Sequence, residues 1–351
     1  MVVAAPRRFA RWVGRSIYRA PQELTHCPAC HSTALAALGL HRLPTRLDGR
    51  RTGLVSGCED CGLVFVNPSP SDAALASMYG PRGEWALRRP DEPTHAPQVV
   101  EGAPGAGSWP RMFDGIRAEF DVTHPPLGSR VLDFGCGRGK FLDVLKRCGW
   151  LTYGIEPATD VAFTRHQPLG SIPQEPSFDL VIAHHVLEHV TDPLALLKQF
   201  AGATRLGGYL LVAVPRLDTL PLHRDLGYVV SRVHVRAYTS VCMEGLLLRA
   251  GWEPVETPSV DVRISGGRRT SARLRMLARL VRRDLPVPVR PLESARHALG
   301  AYHSENPPPR SLVERLERAG VVRLAARALE SRRQMRRTLA RVKALAHRVA
   351  R

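Results

Sequence analysis

The stretch that decides the fold runs Arg130-Val-Leu-Asp133-Phe-Gly135-Cys-Gly137-Arg-Gly139-Lys140. An apolar run ends near an acidic residue, and glycine then recurs at every second position. This pattern predicts a buried strand, a tight turn and the start of a helix. A dinucleotide-binding turn has the spacing G-x-G-x-x-G, but here the glycines follow as G-x-G-x-G and Lys140 stands at the third dinucleotide position. Because glycines let a backbone approach a ligand closely, we predict a ligand site at this turn.

Two acidic residues sharpen the prediction for this site. Asp133, near the end of the strand, can meet a ligand amine directly or through water. Glu156 ends the next predicted strand, 21 residues after Gly135, and is placed to accept hydrogen bonds from both hydroxyls of a ribose. The sequence therefore predicts a site for an adenosine that carries an amino acid, not for a dinucleotide.

Strands and helices alternate from Arg130 onward, which predicts an α/β fold with a parallel sheet and crossover helices. The helix after the glycine turn is expected over Lys140–Cys148, and Asp192-Pro193 has the N-cap and N1 residues of another helix. The expected strands are S-R-V-L-D-F, L-T-Y-G-I-E, F-D-L-V-I-A, Y-L-L-V-A-V-P and a strand or hairpin that begins at Trp252.

The rest of the chain divides by composition. We predict a basic amphipathic segment over 1–20, a cysteine module over 21–80, a Pro/Gly-rich linker over 81–108, the α/β domain over 109–262 and basic helices over 263–351.

The cysteine module contains two C-x-x-C pairs separated by 27 residues, Cys27 with Cys30 and Cys58 with Cys61. Four thiolates at this spacing can close a tetrahedral zinc site, and Gly62 suits the tight turn after the last of them. A redox-active C-x-x-C is the alternative, but it needs one motif at the start of a helix. We predict a structural zinc ion held by the four cysteines.

The motifs together resemble the class I S-adenosylmethionine-dependent methyltransferases. The resemblance rests on V-L-D-F-G-C-G-R-G-K-F-L, Y-G-I-E-P, F-D-L-V-I-A-H-H-V-L-E-H-V-T-D-P, L-G-G-Y-L-L-V-A-V-P and H-V-R-A-Y-T-S-V-C-M-E-G-L-L-L-R-A-G-W. The cysteine module similarly resembles a zinc ribbon that precedes such domains in enzymes acting on sugar nucleotides, glycans or related small molecules. The resemblance covers residues 25–80 and 128–256. It implies a Rossmann-like doubly wound sheet, preceded by a small zinc ribbon and followed by basic α-helices.

The resemblance also implies which residues bind S-adenosylmethionine. Asp133, Gly135 and Gly137 would hold its methionine part, Glu156 its ribose, and the end of a later strand would lie beside the sulfonium. The implied cofactor site consists of Asp133, Gly135, Cys136, Gly137, Glu156, Pro157, Ala183, His184 and His185. Only 21 residues separate Glu156 from Phe178, so either the family's third strand is minimal here or the adenine pocket is degraded.

His185-Val-Leu-Glu188-His189 has the H-x-x-E-H spacing of one class of zinc peptidase. That chemistry needs both histidines on a continuous helix, but only about one helical turn fits between the strand before His184 and the new helix start at Asp192-Pro193. We therefore expect a loop at the carboxyl edge of the sheet, with His184 and His185 facing the cofactor and Glu188 and His189 shaping the acceptor side.

Methyl transfer from a sulfonium needs a base only when the acceptor is a hydroxyl or an acidic carbon. Histidine titrates near neutral pH, so the candidate catalytic residues are His234, His189 and His185, with His223 also considered. Each could instead be a helix-capping or core-edge histidine. His234 is the first to test, because it begins the late segment of the resemblance.

The charge of the chain is concentrated at one end. The net charge is +18, and residues 262–351 contain 23 Lys and Arg against 6 Asp and Glu, a net +17. A solvated basic face is one interpretation, and an anionic membrane surface or nucleic acid is the other. Three cysteines outside the C-x-x-C pairs favour a location in the reducing cytoplasm. The basic region suggests peripheral contact with a membrane. No apolar run is long enough for a transmembrane segment.

Three functions are compatible with these features. A methyltransferase with a small-molecule, sugar-nucleotide or glycan acceptor is favoured. An RNA methyltransferase is the second hypothesis, although the ribbon module is not basic and the tail has few aromatic residues. The third is a non-catalytic interaction protein on a decayed methyltransferase fold, which the short segment after Glu156 suggests.

Overall fold

The structure is a computed structural model that describes residues 23–43, 51–71, 73–75, 121–137, 139–156, 166–223, 226–231, 233–255, 262–263, 269–270, 273–281 and 291–305. The predicted segment 1–20, the linker 81–108, the last basic helix and Pro157 lie outside the described residues.

The cysteine module forms three antiparallel strands, β1 (Leu35–Leu43), β2 (Arg51–Cys58) and β3 (Val64–Val66). Ser71 caps a short helical stretch at 73–75: its hydroxyl accepts a hydrogen bond from the Ala74 N–H at 3.3 Å.

The α/β domain follows the predicted order of elements closely. Its first half comprises β4 (Arg130–Phe134), α1 (Lys140–Arg147), β5 (Leu151–Ile155), β6 (Gln167–Pro168), β7 (Phe178–His184), a 3₁₀ turn (Leu187–His189), α2 (Pro193–Ala203) and β8 (Thr204–Pro215). The N-cap of α2 is Asp192, whose carboxylate accepts a hydrogen bond from the Ala195 N–H at 2.9 Å. Only one short 3₁₀ turn lies between β7 and α2. His185 and His189 are therefore not on a continuous helix, as a zinc peptidase would need.

The second half contains shorter elements. They are α3 (Leu220–His223), α4 (Leu226–Val229), β9 (Arg236–Ala237), α5 (Ser240–Arg249), β10 (Trp252–Val255), β11 (Val262–Arg263), β12 (Arg269–Thr270), β13 (Arg273–Leu280) and α6 (Leu292–Glu305).

Within the part of the chain that the structure describes, seven strands form the main sheet in the order β10-β13-β8-β7-β4-β5-β6. The strands from β6 to β8 pair in parallel, and β13 is antiparallel to both of its neighbours. Chain order reverses between β4 and β7, so the loops after these two strands meet at the carboxyl edge. Ligands of open α/β sheets bind at such a switch point.

Both faces of the sheet are covered by helices. Neighbouring residues on each strand point to opposite faces, so each strand contributes to both cores. On one face Val131 and Leu180 pack with Leu142 and Leu145 of α1. On the other face Leu132 and its neighbours pack against the helices α2 and α5. The near-continuous apolar strands of the sequence follow from this burial on both sides.

One prediction about the C-terminal region is wrong. Residues from about 263 onward were expected to be helical, but Arg273–Leu280 is a strand that pairs with β8 and β10. Its alternation of arginine with apolar residues matches the period of a strand, and Leu274, Ala278 and Leu280 are buried. The main sheet therefore extends beyond the expected boundary at 262. The helix α6 agrees with the prediction.

The cysteine module is joined to the α/β domain. Strand β3 pairs with β9, and the Val66 N–H donates to the Val235 carbonyl at 3.1 Å. Cys61 and Phe65 belong to the same buried cluster as Met243 of α5. The module and the main sheet consequently share a core.

Candidate functional site

The glycine turn after β4 adopts the backbone that only glycine reaches easily. Gly135, Gly137 and Gly139 have φ values of 75°, 53° and 69°. The N–H of Gly135 donates to the Ile155 carbonyl at 2.8 Å, which ties the turn to the end of β5. A Cβ on Gly137 would meet nothing within 4 Å. The turn thus presents its backbone to open space, as a ligand cradle does.

The two predicted acidic residues lie beside this turn. Glu156 accepts a hydrogen bond from the Gly137 N–H at 2.7 Å, and Asp133 is 3% exposed. Burial raises the pKa of Asp133 well above its ordinary value, and the negative charge of Glu156 raises that pKa further. A ligand that brings an ammonium group and hydroxyl donors would relieve both effects.

The end of β7 borders the same space. Ala183 is fully buried, and the ring of His184 stacks on Phe141 of α1 at a centroid distance of 6.4 Å. Cys136 is also buried, and burial raises the pKa of its thiol. The structure thus brings together every predicted cofactor residue that it describes.

The segment after Glu156 contains a minimal third strand. β6 has two residues, Gln167 and Pro168, and pairs in parallel with Tyr153 and Gly154 of β5. The buried ring of His166 anchors it, with Nδ1 2.9 Å from the Thr152 hydroxyl and Nε2 3.1 Å from the Asp143 carboxylate. The third strand of the sheet is therefore present in a minimal form, which was the first of the two alternatives.

Next to the cofactor edge, His185 and Glu188 form a hydrogen-bonded pair. His185 has φ 57°, an unusual backbone for a residue other than glycine. Its Nδ1 lies 2.7 Å from Oε1 of Glu188, whose side chain is fully buried. With Nδ1 donating to the carboxylate, the lone pair of the neutral ring is on Nε2. This is how a carboxylate orients a histidine base.

His189 and His234 complete a cluster of histidines. Their ring centroids are 4.8 Å apart. His189 Nδ1 lies 2.8 Å from the Val233 carbonyl and His234 Nδ1 lies 2.6 Å from the Tyr228 carbonyl. All three candidate catalytic histidines therefore lie close together, although His234 is far from the other two in the sequence. His223, the fourth histidine considered, has no described side chain.

Sequence reasoning missed two residues of this site. Tyr228 stands 6.1 Å from His185 and 6.2 Å from His234 by ring centroids. The hydroxyl of Tyr238 donates to the Leu187 carbonyl at 2.6 Å and so holds the 3₁₀ turn in place. An aromatic residue near a predicted histidine was the only signal available for either one.

The four predicted zinc ligands also come together. Their sulfur atoms all lie within 4.8 Å of one another, and the pairs Cys27–Cys61 and Cys30–Cys58 are each 3.5 Å apart. Gly62 has φ 75°, as the tight turn after the last cysteine required. None of these cysteines forms a disulfide, so the arrangement fits a tetrahedral metal site.

Residues 109–257 match the model of a family described as a methyltransferase domain. This part of the chain is similar to that methyltransferase family. Curated relatives of this region include a ubiquinone biosynthesis O-methyltransferase of Rhodopseudomonas palustris (strain BisB18), 35% identical over 101 residues, which cover 24% of this chain and 39% of the relative. Another, from Xanthomonas campestris pv. campestris (strain B100), is 28% identical over 158 residues, covering 40% and 57%.

The chain thus spans less than two thirds of either relative. The solved structure of a SAM-dependent methyltransferase from Methanosarcina mazei has a TM-score of 0.36 and 17% identity, and the match covers 45% of this chain and 95% of that one. Among the described residues, no helix has both the length and the apolar character needed to cross a membrane.

Proposed function

We propose that the chain transfers a methyl group from S-adenosylmethionine to a hydroxyl oxygen of a small-molecule, sugar-nucleotide or glycan acceptor. One observation carries the proposal: the glycine turn after β4 and the His185–Glu188 pair after β7 meet at the same edge of the sheet. The names of the curated relatives, which are O-methyltransferases, support oxygen as the acceptor atom.

The residues of the edge fit the cofactor. Asp133 and Glu156 are two acidic groups near each other. Burial raises the pKa of Asp133 well above its ordinary value and the negative charge of Glu156 raises it further, so a ligand that brings positive charge is favoured there. The cofactor's ammonium group and ribose hydroxyls are the donors that such a site needs. The open space at Gly137 gives room for them against the backbone.

When bound, S-adenosylmethionine would supply a methyl group on a positively charged sulfur. His185 Nε2 would accept the proton of the acceptor hydroxyl as its oxygen takes the methyl group and the bond from the methyl carbon to sulfur breaks. Glu188 would stabilise the resulting imidazolium through the hydrogen bond to Nδ1, because a charge-assisted bond is stronger than a neutral one. His189 and His234 would line the acceptor side of the same pocket.

A structural zinc ion in the cysteine module is a further part of this proposal. The four sulfur atoms have the donor chemistry and mutual distances that zinc requires. A site with four protein ligands has no open position, so this ion would hold the module together and perform no chemistry.

The test of the proposed function begins with cofactor binding. We expect titration calorimetry with S-adenosylmethionine to show one site in the full chain. Glu156→Gln should weaken binding at least about tenfold, because one charge-assisted hydrogen bond contributes about 1.5–3 kcal/mol. Glu175→Gln removes an exposed carboxylate from the loop before β7, at the opposite edge of the sheet from the turn, and should leave binding unchanged.

Turnover is then sought by mass spectrometry of methylated products from a panel of hydroxylated sugar nucleotides, glycans and phenols. His185→Gln should lower the rate at saturating cofactor by about 10²–10⁴-fold. Absence of binding at millimolar cofactor would exclude methyl transfer and favour the interaction-protein hypothesis. Methylation of bulk RNA, with none of the small acceptors modified, would favour the second hypothesis instead.

A further inference from the structure

A second group of metal-ligand side chains lies in the methyltransferase domain, more than 100 residues after the cysteines. One oxygen of Glu188 and one nitrogen each of His189 and His234 lie within 4.8 Å of one another. Glu188 and His189 come from the 3₁₀ turn after β7, and His234 comes from the segment before β9. The fold brings them together across 45 residues of sequence.

The two histidines are oriented as metal ligands usually are. In each ring Nδ1 faces a backbone carbonyl, that of Val233 for His189 and that of Tyr228 for His234. A carbonyl can only accept, so Nδ1 carries the hydrogen and the lone pair of the neutral ring is on Nε2. A hydrogen bond from the second nitrogen to a backbone carbonyl fixes the tautomer in this way at many metal sites.

Glu188 supplies an independent observation. Its side chain is fully buried. Oε1 is engaged by His185 Nδ1 at 2.7 Å, whereas Oε2 is inaccessible to solvent and has no hydrogen-bond donor among the described residues. A buried carboxylate oxygen without a donor is costly, and a bound cation would satisfy it.

We propose that Glu188, His189 and His234 form a binding site for a divalent transition-metal ion beside the methyl-transfer pocket. Two imidazole nitrogens and one carboxylate oxygen suit Zn²⁺, Fe²⁺ or Co²⁺ better than Mg²⁺ or Ca²⁺, which prefer oxygen ligands. Three protein ligands also leave coordination positions open, as in catalytic metal sites and unlike the closed cysteine site.

The site differs from the peptidase arrangement that the H-x-x-E-H letters suggested. In that arrangement both histidines bind the metal, whereas here His185 is hydrogen-bonded to Glu188, and the glutamate itself is a ligand. The third ligand comes from the late segment. This inference does not depend on the proposed function, since metal binding is measured without cofactor or acceptor.

The test counts and identifies bound metal in the full chain. After equilibration with excess Zn²⁺ and removal of free ion, we expect two zinc ions per chain by mass spectrometric metal analysis. His234→Ala and Glu188→Gln should each reduce this number to about one. His297→Ala, which removes an exposed histidine of α6, should leave two. One zinc per chain in the unaltered protein would overturn the proposal.

Cobalt distinguishes the two sites by their spectra, since only the cysteine site gives thiolate-to-cobalt charge-transfer bands. Co²⁺ added to protein with its cysteine site filled by Zn²⁺ should produce visible d–d bands without those charge-transfer bands. Glu188→Gln should abolish the d–d bands while circular dichroism shows a folded protein. Bands that persist in both Glu188→Gln and His234→Ala would also overturn the proposal.

Discussion

Gly135 and Gly137 share a left-handed backbone, but their surroundings differ. A Cβ on Gly135 would lie 2.8 Å from the Val186 side chain, whereas one on Gly137 would point into open space. The first glycine is therefore required by packing between the turn and the loop after β7, and the second by the ligand that is proposed to approach it. Two glycines of one motif are thus required for different physical reasons.

Alanine substitutions separate these reasons. Gly135→Ala should lower the free energy of unfolding by about 1–3 kcal/mol, from the strained backbone and the close contact. Gly137→Ala should cost only about 1–2 kcal/mol of stability but weaken S-adenosylmethionine binding markedly. Urea unfolding and calorimetry measure the two effects. Gly202→Ala, at an uncrowded helical position, is the control, and unchanged cofactor affinity in Gly137→Ala would contradict the assignment.

Asp133 illustrates a conflict between stability and ligand binding. Its pKa is raised in the folded protein, so the folded state retains a proton at pH values where the unfolded chain has lost it. Stability therefore falls as the pH rises from the ordinary aspartate value of about 3.9 through the raised value. At neutral pH the burial of this charge opposes folding, and a cationic ligand offsets the cost.

Asp133→Asn should consequently be more stable than the unaltered protein at pH 7 without cofactor, while binding S-adenosylmethionine more weakly. Its unfolding free energy should also decline less between pH 4 and pH 7. Urea denaturation at several pH values measures both, with the exposed Glu175→Gln as a control for general charge effects. If Asp133→Asn were less stable at pH 7 and its unfolding free energy kept the original pH dependence, the buried charge of Asp133 would not destabilise the fold.

At the scale of elements, the sequence predicted what neighbouring residues determine. The glycine turn, α1 and the capped start of α2 were all readable, because each depends on a few adjacent residues. β13 was missed because its arginines suggested a basic helix, although the alternation from Arg273 to Leu280 has the period of a strand. The approach of His234 to Glu188 could not be predicted, since it depends on how β9 pairs with the cysteine module.

The burial of β13 inside the main sheet gives a direct test. Leu277 is 1% exposed and packs in the core that α1 covers, so Leu277→Ala should lower the unfolding free energy by about 2–5 kcal/mol. Leu206 belongs to β8 but is 69% exposed, and Leu206→Ala should change stability by less than about 0.5 kcal/mol. Equal effects in urea denaturation would contradict the strand assignment.

At the scale of the whole molecule, the cysteine module pairs with the segment that follows His234, on the proposed acceptor side. Its β3 pairs with β9, two residues after His234. The buried Arg236 of β9 donates to the Ser69 hydroxyl at 3.1 Å and to the Thr191 carbonyl at 3.0 Å. One arginine thereby links the module, the segment that carries His234 and the start of α2. The proposed zinc ion would stabilise the acceptor pocket from a distance, without taking part in the reaction.

Loss of that zinc should disturb the acceptor side more than the cofactor side. Cys58 is fully buried, and Cys58→Ser should remove the structural zinc and lower stability by about 3–5 kcal/mol. Hydrogen exchange should accelerate at the amides of 233–238 far more than at those of β4, because β9 loses a firm partner while β4 remains in the centre of the main sheet. Cys148 is a partly exposed cysteine outside the cluster, and Cys148→Ser should have the stability and exchange rates of the unaltered protein. Equal acceleration at β4 and at 233–238 would mean that the module supports the whole domain and not the acceptor side in particular.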